Sequence, residues 1–269
     1  MSLHVYIILA LVALVVCSVG FFNFVYFMSE GYGFAIAGLG ISLMILYSGN
    51  LTLGTILGGV LFLTYGCRLS GFLLLREFKN KNYKKVLSDA TQSDGSMPIF
   101  VKVMIWIFCA ILYVLQALPL AYRLDHKAGD SWILWLGLIL SLFGLILESA
   151  ADISKSRQKR VRSDMVATQG LYRFTRCPNY CGEILFWTGV FVGALNTLQG
   201  PVEWVLSILG YVGIVYVMIS GAKRLEKKQN KRYGESQEYR DYVAKTPILI
   251  PFLPIYHFSK NELENEKIF

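Results

Sequence analysis

The sequence predicts an all-α polytopic membrane protein: a bundle of about seven transmembrane helices with cytoplasmic loops and a cytoplasmic C-terminal tail. Three observations carry this. Of 269 residues, 55% are hydrophobic and only 16% charged, against about 25% charged in an ordinary soluble domain. The apolar residues gather into stretches near the ~20 residues that a membrane helix needs. Lys and Arg, in turn, fall almost wholly into three of the connecting segments. The same composition excludes an intrinsically disordered chain and, with no Gly-X-Y period, a collagen.

The first stretch, 4–27, has no Lys or Arg before it and runs too long for the apolar core of a signal peptide, so it reads as a retained helix. The second, 33–48, is short and Gly-rich. Ser48-Gly49-Asn50 makes a tight break before the third, 51–75, and these two could form one hairpin. The remaining spans are 99–122, 132–150, 183–199 and 203–222. Cytoplasmic loops are enriched in Lys and Arg. Segments 76–97, 151–178 and 223–269 hold 22 of the 26 basic residues, and with seven spans all three fall on one side. This places the N-terminus outside, the C-terminus inside, and the net charge of +8 on the cytoplasmic face. There it serves topology and anionic headgroups or, more specifically, a polyanionic ligand.

Cys17, Cys67, Cys109, Cys177 and Cys181 form neither a disulfide framework nor a CxxC pair, and those in apolar runs read as small buried hydrophobes. His4, His126 and His257 are scattered, so no protein-bound catalytic metal is expected. No GxGxxG or GKS/T phosphate loop occurs, so a nucleotide would be held by the bundle and its loops.

Ionisable residues inside spans are costly and usually face a cavity. Arg68 precedes Arg76 by eight residues, which sets it ~12 Å below the cytoplasmic boundary. Tyr65 shares its helix face. A plainer role for Arg68 is to satisfy neighbouring helix carbonyls. Glu148 and Asp152 are expected at the cytoplasmic end of the fifth span, where acids oppose the negative helix terminus. They would gain by accepting hydrogen bonds from a ligand or pairing with Arg68 or Arg157; a solvated, frayed helix end is the alternative.

The densest stretch is 169–187, QGLYRFTRCPNYCGEILFW. Pro178 suits the first turn of a helix, so the sixth span begins near it. Its free amides, beside Arg173 and Arg176, make a phosphate site. Arg176, Asn179 and Glu183 fall at i, i+3 and i+7 on one stripe, which suits a ligand with phosphate, ribose and amide parts. A basic loop before a capped helix explains the arginines but not Glu183. Further on, Tyr239 and Tyr242 alternate with Glu238 and Asp241 in an amphipathic helix ended by Pro247. Such a helix can lie on the membrane surface, while the apolar ILIPFLP after it could fold the tail back over the cytoplasmic mouth of the bundle.

The block GLYRFTRCPNYCGEILFW, with ESAAD upstream and EYRDYVAKTPILIPF downstream, resembles the membrane steroid 5-alpha-reductase superfamily, especially its microbial branch. The resemblance covers about residues 50–255 and divides the chain into N-terminal transmembrane helices (1–50), a reductase-like membrane domain (51–255) and a polar tail (256–269). It implies a seven-helix reductase that binds NADPH in a cytoplasm-facing cavity and reduces the double bond of an enone, typically a 3-oxo-delta-4 steroid. The expected partners are thus a lipid or steroid substrate and membrane lipids, with no nucleic acid and no metal. Asn179 and Glu183 match the family's NxxGE cofactor contacts, with Tyr180 inside the motif and Glu183 near the nicotinamide. Asp152 matches an acidic cofactor contact, and Tyr242 lies in the region that closes over the nucleotide. In YGCR, similar to the family's YxxR, Tyr65 would bond the enone oxygen and Arg68 the cofactor. Arg173, Arg176 and Arg224 complete the expected cofactor set. Two positions depart from the pattern. Cys177 stands where the microbial pattern usually has His, and the second span offers no counterpart of the substrate-binding Glu, because Glu30 falls in a loop. That widens the substrate class to other enone lipids. A second resemblance is to the isoprenylcysteine carboxyl methyltransferases, through Arg224 and Glu226 in RLEKKQNKRYGESQEYRDYVAKT. It implies S-adenosylmethionine, a cofactor that needs no phosphate site and is bound in that family by the His that Cys177 replaces.

Overall fold

The computed structural model describes residues 1–79 and 97–258, and among these every regular element is a helix. In chain order they are α1 (Leu3–Cys17), α2 (Glu30–Leu46), α3 (Leu53–Lys79), α4 (Ile99–Asp125), α5 (Trp132–Val161), α6 (Pro178–Val192), α7 (Gly200–Tyr233) and α8 (Gln237–Lys245). Short 3-10 turns occupy Ser18–Phe21, Phe24–Met28, Ser48–Asn50 and Gly170–Arg173. The protein is a polytopic membrane protein. Leu3–Phe21, α3, α4, α5 and α7 are long and apolar enough to cross a bilayer.

The other two expected spans are shorter. α2 has 17 residues and α6 has 15, so at ~1.5 Å per residue both fall short of ~30 Å of hydrocarbon. α6 starts at Pro178, as the proline indicates, ahead of the apolar stretch 183–199, and stops at Val192; just past it the Arg123 guanidinium takes the Gly193 carbonyl at 3.1 Å. α5 and α7 run the other way and outlast their apolar stretches to Val161 and Tyr233, because Lys, Arg and Gln are good helix formers. Glu148 and Asp152 therefore sit well inside a helix, not at its end. The dipole penalty falls away for them, since that field reaches only the last turn. Lys81, Lys84 and Lys85 of the first basic segment, and the tail beyond residue 258, lie outside the described residues.

The chain divides into two compact units. The first comprises Met1–Ile139 with Gly189–Val212. α1 presents one apolar stripe inward (Val5, Leu9, Ala13, Cys17) and another outward (Leu3, Ile7, Leu11, Val15). An outward apolar stripe on a helix of this length suits lipid, whereas soluble proteins rarely expose large apolar patches. α2 and α3 pack along small residues, as membrane helices do where contact must come from close approach. A Cβ on Gly66 would stand 2.1 Å from the Gly33 carbonyl oxygen, and one on Gly40 would stand 2.8 Å from Phe62 Cβ. Glu30, expected in a loop, instead opens α2 and is buried at 3% exposure. An acid is favoured in a first helical turn, and Ser29 Oγ donates to its carboxylate. Arg123, just beyond the expected span 99–122 and so expected in the loop that follows it, is no loop charge. It is buried in the last turn of α4 and donates to Gly193 O, Asn196 Oδ1 and Gly129 O.

The second unit comprises Leu140–Thr188 with Gly213–Phe269. Here α5 and α6 cross through glycines: a Cβ on Gly144 would lie 2.4 Å from Phe186 N, and one on Gly182 2.7 Å from Glu148 N. Ser141 Oγ donates to Phe186 O at 2.9 Å. The polar end of α5 organises the loop after it, since Gln158 Oε1 accepts from Thr168 N and Gln169 N, both at 3.0 Å. α8 buries Tyr239 and Val243 against Met165 and Tyr233. It is thus a packed helix whose apolar face meets protein.

Candidate functional site

The expected site residues fall into both units. In the first, α3 carries Tyr65 and Arg68 one turn apart. Tyr65 is fully buried and its hydroxyl donates to Tyr32 Oη at 3.0 Å. The Arg68 guanidinium lies 6.0 Å from the centre of the Phe72 ring, at the outer edge of a cation–π contact.

In the second unit the site is built around the entry to α6. Arg173 ends the 3-10 turn before it and is exposed, as is Arg224 on α7. Arg176 is different. It is 4% exposed, with its Nη2 on Glu226 Oε1 at 3.1 Å and on the Tyr256 carbonyl. Glu226 is buried too, and also bonds His257 Nδ1 at 2.9 Å and the Phe258 amide at 3.1 Å. The tail after α8 is therefore clasped to this entry. Arg176 N–H donates to Pro247 O, Thr175 Oγ1 to Leu249 O, and Ile248 and Leu249 are buried with Cys177 and Ala222. Of ILIPFLP, Ile248 and Leu249 turn back onto the segment entering α6 and onto α6 and α7, while Ile250, Phe252 and Leu253 are exposed. Nε and Nη1 of Arg176 are buried and make no well-aligned hydrogen bond among the described residues, although the Tyr239 hydroxyl interacts with this guanidinium.

Asn179 and Tyr180 follow in the first turn of α6, both partly buried, with the Tyr180 ring against Gly221 and the Cys177 cluster. Glu183, a turn further, is 6% exposed, and Glu148 opposite the Gly182 crossing is 3% exposed. Tyr242 Oη donates to Tyr172 O at 2.7 Å, which joins α8 to the 3-10 turn. Tyr172 Oη donates to Ala151 O, next to Asp152. Burial holds the Tyr172 hydroxyl well above its ordinary pKa, and the Asp152 charge beside it adds to the effect. Burial likewise raises Tyr242, against the opposing pull of Arg176. The Cys177 thiol is pushed up to about 11 by burial, partly offset by Lys155 and Arg176. It is a neutral thiol at physiological pH and cannot replace a basic His.

The second unit thus brings Asp152, Arg176, Tyr180 and Tyr242 together around Tyr172 and Cys177, with Glu183 on the same helix as Tyr180. Sequence reasoning missed Tyr172 and Tyr32, which become visible only through their partners, and it noted Glu226 in the tail motif without its pairing to Arg176.

A family model described as a protein of unknown function (DUF1295) matches residues 26–246. The chain belongs to that family. DUF1295 is a steroid 5-alpha-reductase-like family, so the resemblance read from the motifs holds at family level. This DUF1295 protein is 22% identical over 175 residues to the steroid 5-alpha-reductase DET2 of Gossypium hirsutum, covering 63% of the chain and 62% of that protein. It is 24% identical over 171 residues to an uncharacterised protein of Schizosaccharomyces pombe, covering 55% of the chain and 49% of that protein. The chain therefore spans about half to three-fifths of the length of these relatives. No solved structure matches it significantly.

Proposed function

We propose that this DUF1295 protein is an NADPH-dependent membrane reductase of a carbon–carbon double bond conjugated to a ketone in a steroid or similar lipid. The observation that carries the reading is the α6 entry. Arg176 is buried, and its Nε and Nη1 make no well-aligned hydrogen bond, with only the Tyr239 hydroxyl interacting with the guanidinium from that side; Lys155, Arg173 and Arg224 stand in the same unit. Incompletely satisfied, water-excluded guanidinium donors suit a phosphate oxygen. A cofactor such as S-adenosylmethionine would leave them unused.

In this reading Arg173, Arg176 and Arg224 hold the phosphates and Asn179 and Tyr180 line the cofactor at the start of α6. Asp152 contacts the cofactor, Glu183 lies near its nicotinamide, and Arg68 is a cofactor contact by its match to the YxxR motif. Tyr242 keeps α8 closed on Tyr172. When bound, the cofactor would supply a hydride to the β carbon of the enone, and the enolate so formed would take its proton at the α carbon from water. Tyr65 holds the carbonyl oxygen and stabilises the negative charge that develops there, and removal of one such donor costs about 10²–10³ in rate in comparable enzymes. The cofactor side faces the cytoplasm, with the N-terminus outside.

The test is nucleotide binding by the detergent-solubilised protein, followed by mass spectrometry of a panel of 3-oxo-4-ene steroids and other enones incubated with NADPH. NADPH raises the melting temperature, and Glu183→Ala or Arg68→Ala abolishes the rise. Stabilisation by S-adenosylmethionine without any by NADPH overturns the reading. A C-terminal reporter that scores as exported overturns the orientation.

A further inference from the structure

The first unit holds a feature that packing alone does not require. Tyr65 and Tyr32 are both buried, at 0% and 4% exposure, and share one hydrogen bond at 3.0 Å, with Tyr65 the donor. Phenylalanine would fill the same space without carrying hydroxyl groups into an apolar interior, where each needs a partner. The pair is held closely. The Tyr32 ring stacks on Tyr113 at 4.7 Å and meets Tyr65 at 5.9 Å, and the Tyr113 hydroxyl is tied to Phe27 O at 2.7 Å. The residues next in sequence, Gly33 and Gly66, make the tightest approach of α2 to α3. The backbones on either side of the two tyrosines are thus fixed against one another.

We infer that Tyr32 is a positioning residue that acts through Tyr65 on the substrate carbonyl. The inference rests on the reductase reading above. Without substrate, the Tyr65 proton is directed at Tyr32. A carbonyl arriving at Tyr65 turns this bond over: Tyr65 donates to the carbonyl oxygen, and Tyr32 donates to the Tyr65 oxygen. No proton changes owner. The two bonds polarise each other in series, so Tyr65 becomes a stronger donor as charge builds on the substrate oxygen. No carboxylate is needed for this role, and a neutral pair avoids placing a charge inside the membrane.

The experiment compares wild type, Tyr32→Phe, Tyr65→Phe and Tyr113→Phe in detergent, with NADPH and progesterone as the 3-oxo-4-ene probe. Two readouts are taken: steady-state reduction, and the rise in melting temperature with NADPH alone. Tyr32→Phe is expected to lower kcat about 3- to 10-fold, the worth of one hydrogen bond, with the NADPH-induced rise and the KM for NADPH unchanged. Tyr65→Phe loses more, and Tyr113→Phe leaves kcat near wild type. A second variant carries 3-fluorotyrosine at position 32, which keeps the ring and hydroxyl but is more acidic. Its kcat rises if Tyr32 donates to Tyr65; a packing role would leave it unmoved. Active wild type with unchanged kcat in both position-32 variants overturns the role of Tyr32 and leaves the reductase reading standing. Wild type that neither gains stability from NADPH nor reduces the probe overturns both.

Discussion

The Arg176–Glu226 pair gives the sharpest prediction about stability. Both side chains are almost fully buried, at 2% and 1% exposure. Glu226→Leu leaves the guanidinium buried without a countercharge, and breaking a buried pair from one side costs about 3–5 kcal/mol. The Phe258 amide and His257 lose their acceptor as well, but both lie on the tail, where water can replace it. With about 2–4 °C per kcal/mol for a chain of this class, the melting temperature falls by roughly 10 °C. In the double variant Arg176→Met with Glu226→Leu both charges are gone. What remains lost is the acceptor for the Phe258 amide and the bond to the Tyr256 carbonyl, on the order of 1–2 kcal/mol together. The double variant is therefore more stable than Glu226→Leu alone. Thermal unfolding in detergent, followed by tryptophan fluorescence, measures both. A single variant that melts within about 3 °C of wild type, or a double variant that melts below the single, refutes the burial of the pair.

Four further outcomes are expected. Gly182→Ala brings a Cβ within 2.7 Å of Glu148 N and 2.8 Å of Gly144 O; neither backbone can yield cheaply, so the protein loses about 1–3 kcal/mol. Gly71→Ala, with nothing within 4 Å, gains up to about 1 kcal/mol from helix propensity, and melting curves separate the two. Cys177 titrates near 9.0 when unfolded and at about 11 in the fold. The fold thus holds this proton more tightly, and the resulting stabilisation, complete below pH 9, is lost as pH rises toward 11. Mass spectrometry of alkylated peptides should find Cys177 unmodified at pH 8–9 and modified only as pH nears 11. Tyr242→Phe removes the 2.7 Å bond to Tyr172 O and costs about 0.5–1.5 kcal/mol, read as faster hydrogen exchange in the α8 amides.

The apolar stretches and the amphipathic tail helix were legible in the sequence because hydropathy and periodicity are local properties. Helix ends were not. α5 and α7 continue about three turns past the apolar boundary, because helix propensity does not change where hydropathy does. α6 stops early because Arg123, distant in sequence, takes the carbonyl after its end. Glu30 was misplaced for a related reason: the 3-10 turns before it let α2 start three residues sooner than the apolar run. The α6 motif identified Arg176 as a notable side chain, but not that Glu226 and Tyr256 would engage it. Those contacts cross 50 and 80 residues, beyond any local pattern. The Tyr32–Tyr65 pairing crosses 33 and needs the two glycines beside it to be seen in contact.

The clasp at Arg176 also sets an order of events during biosynthesis. Its partner Tyr256 lies 80 residues downstream, so at ~5–20 residues per second the α6 entry waits some 4–16 s for its last contact. Glu226, 50 residues downstream, arrives first, so until Tyr256 follows the guanidinium is only half clasped. A chain cut off after α7 would keep the Arg176–Glu226 pair but lack the contacts from residues 247–258 that complete the second unit.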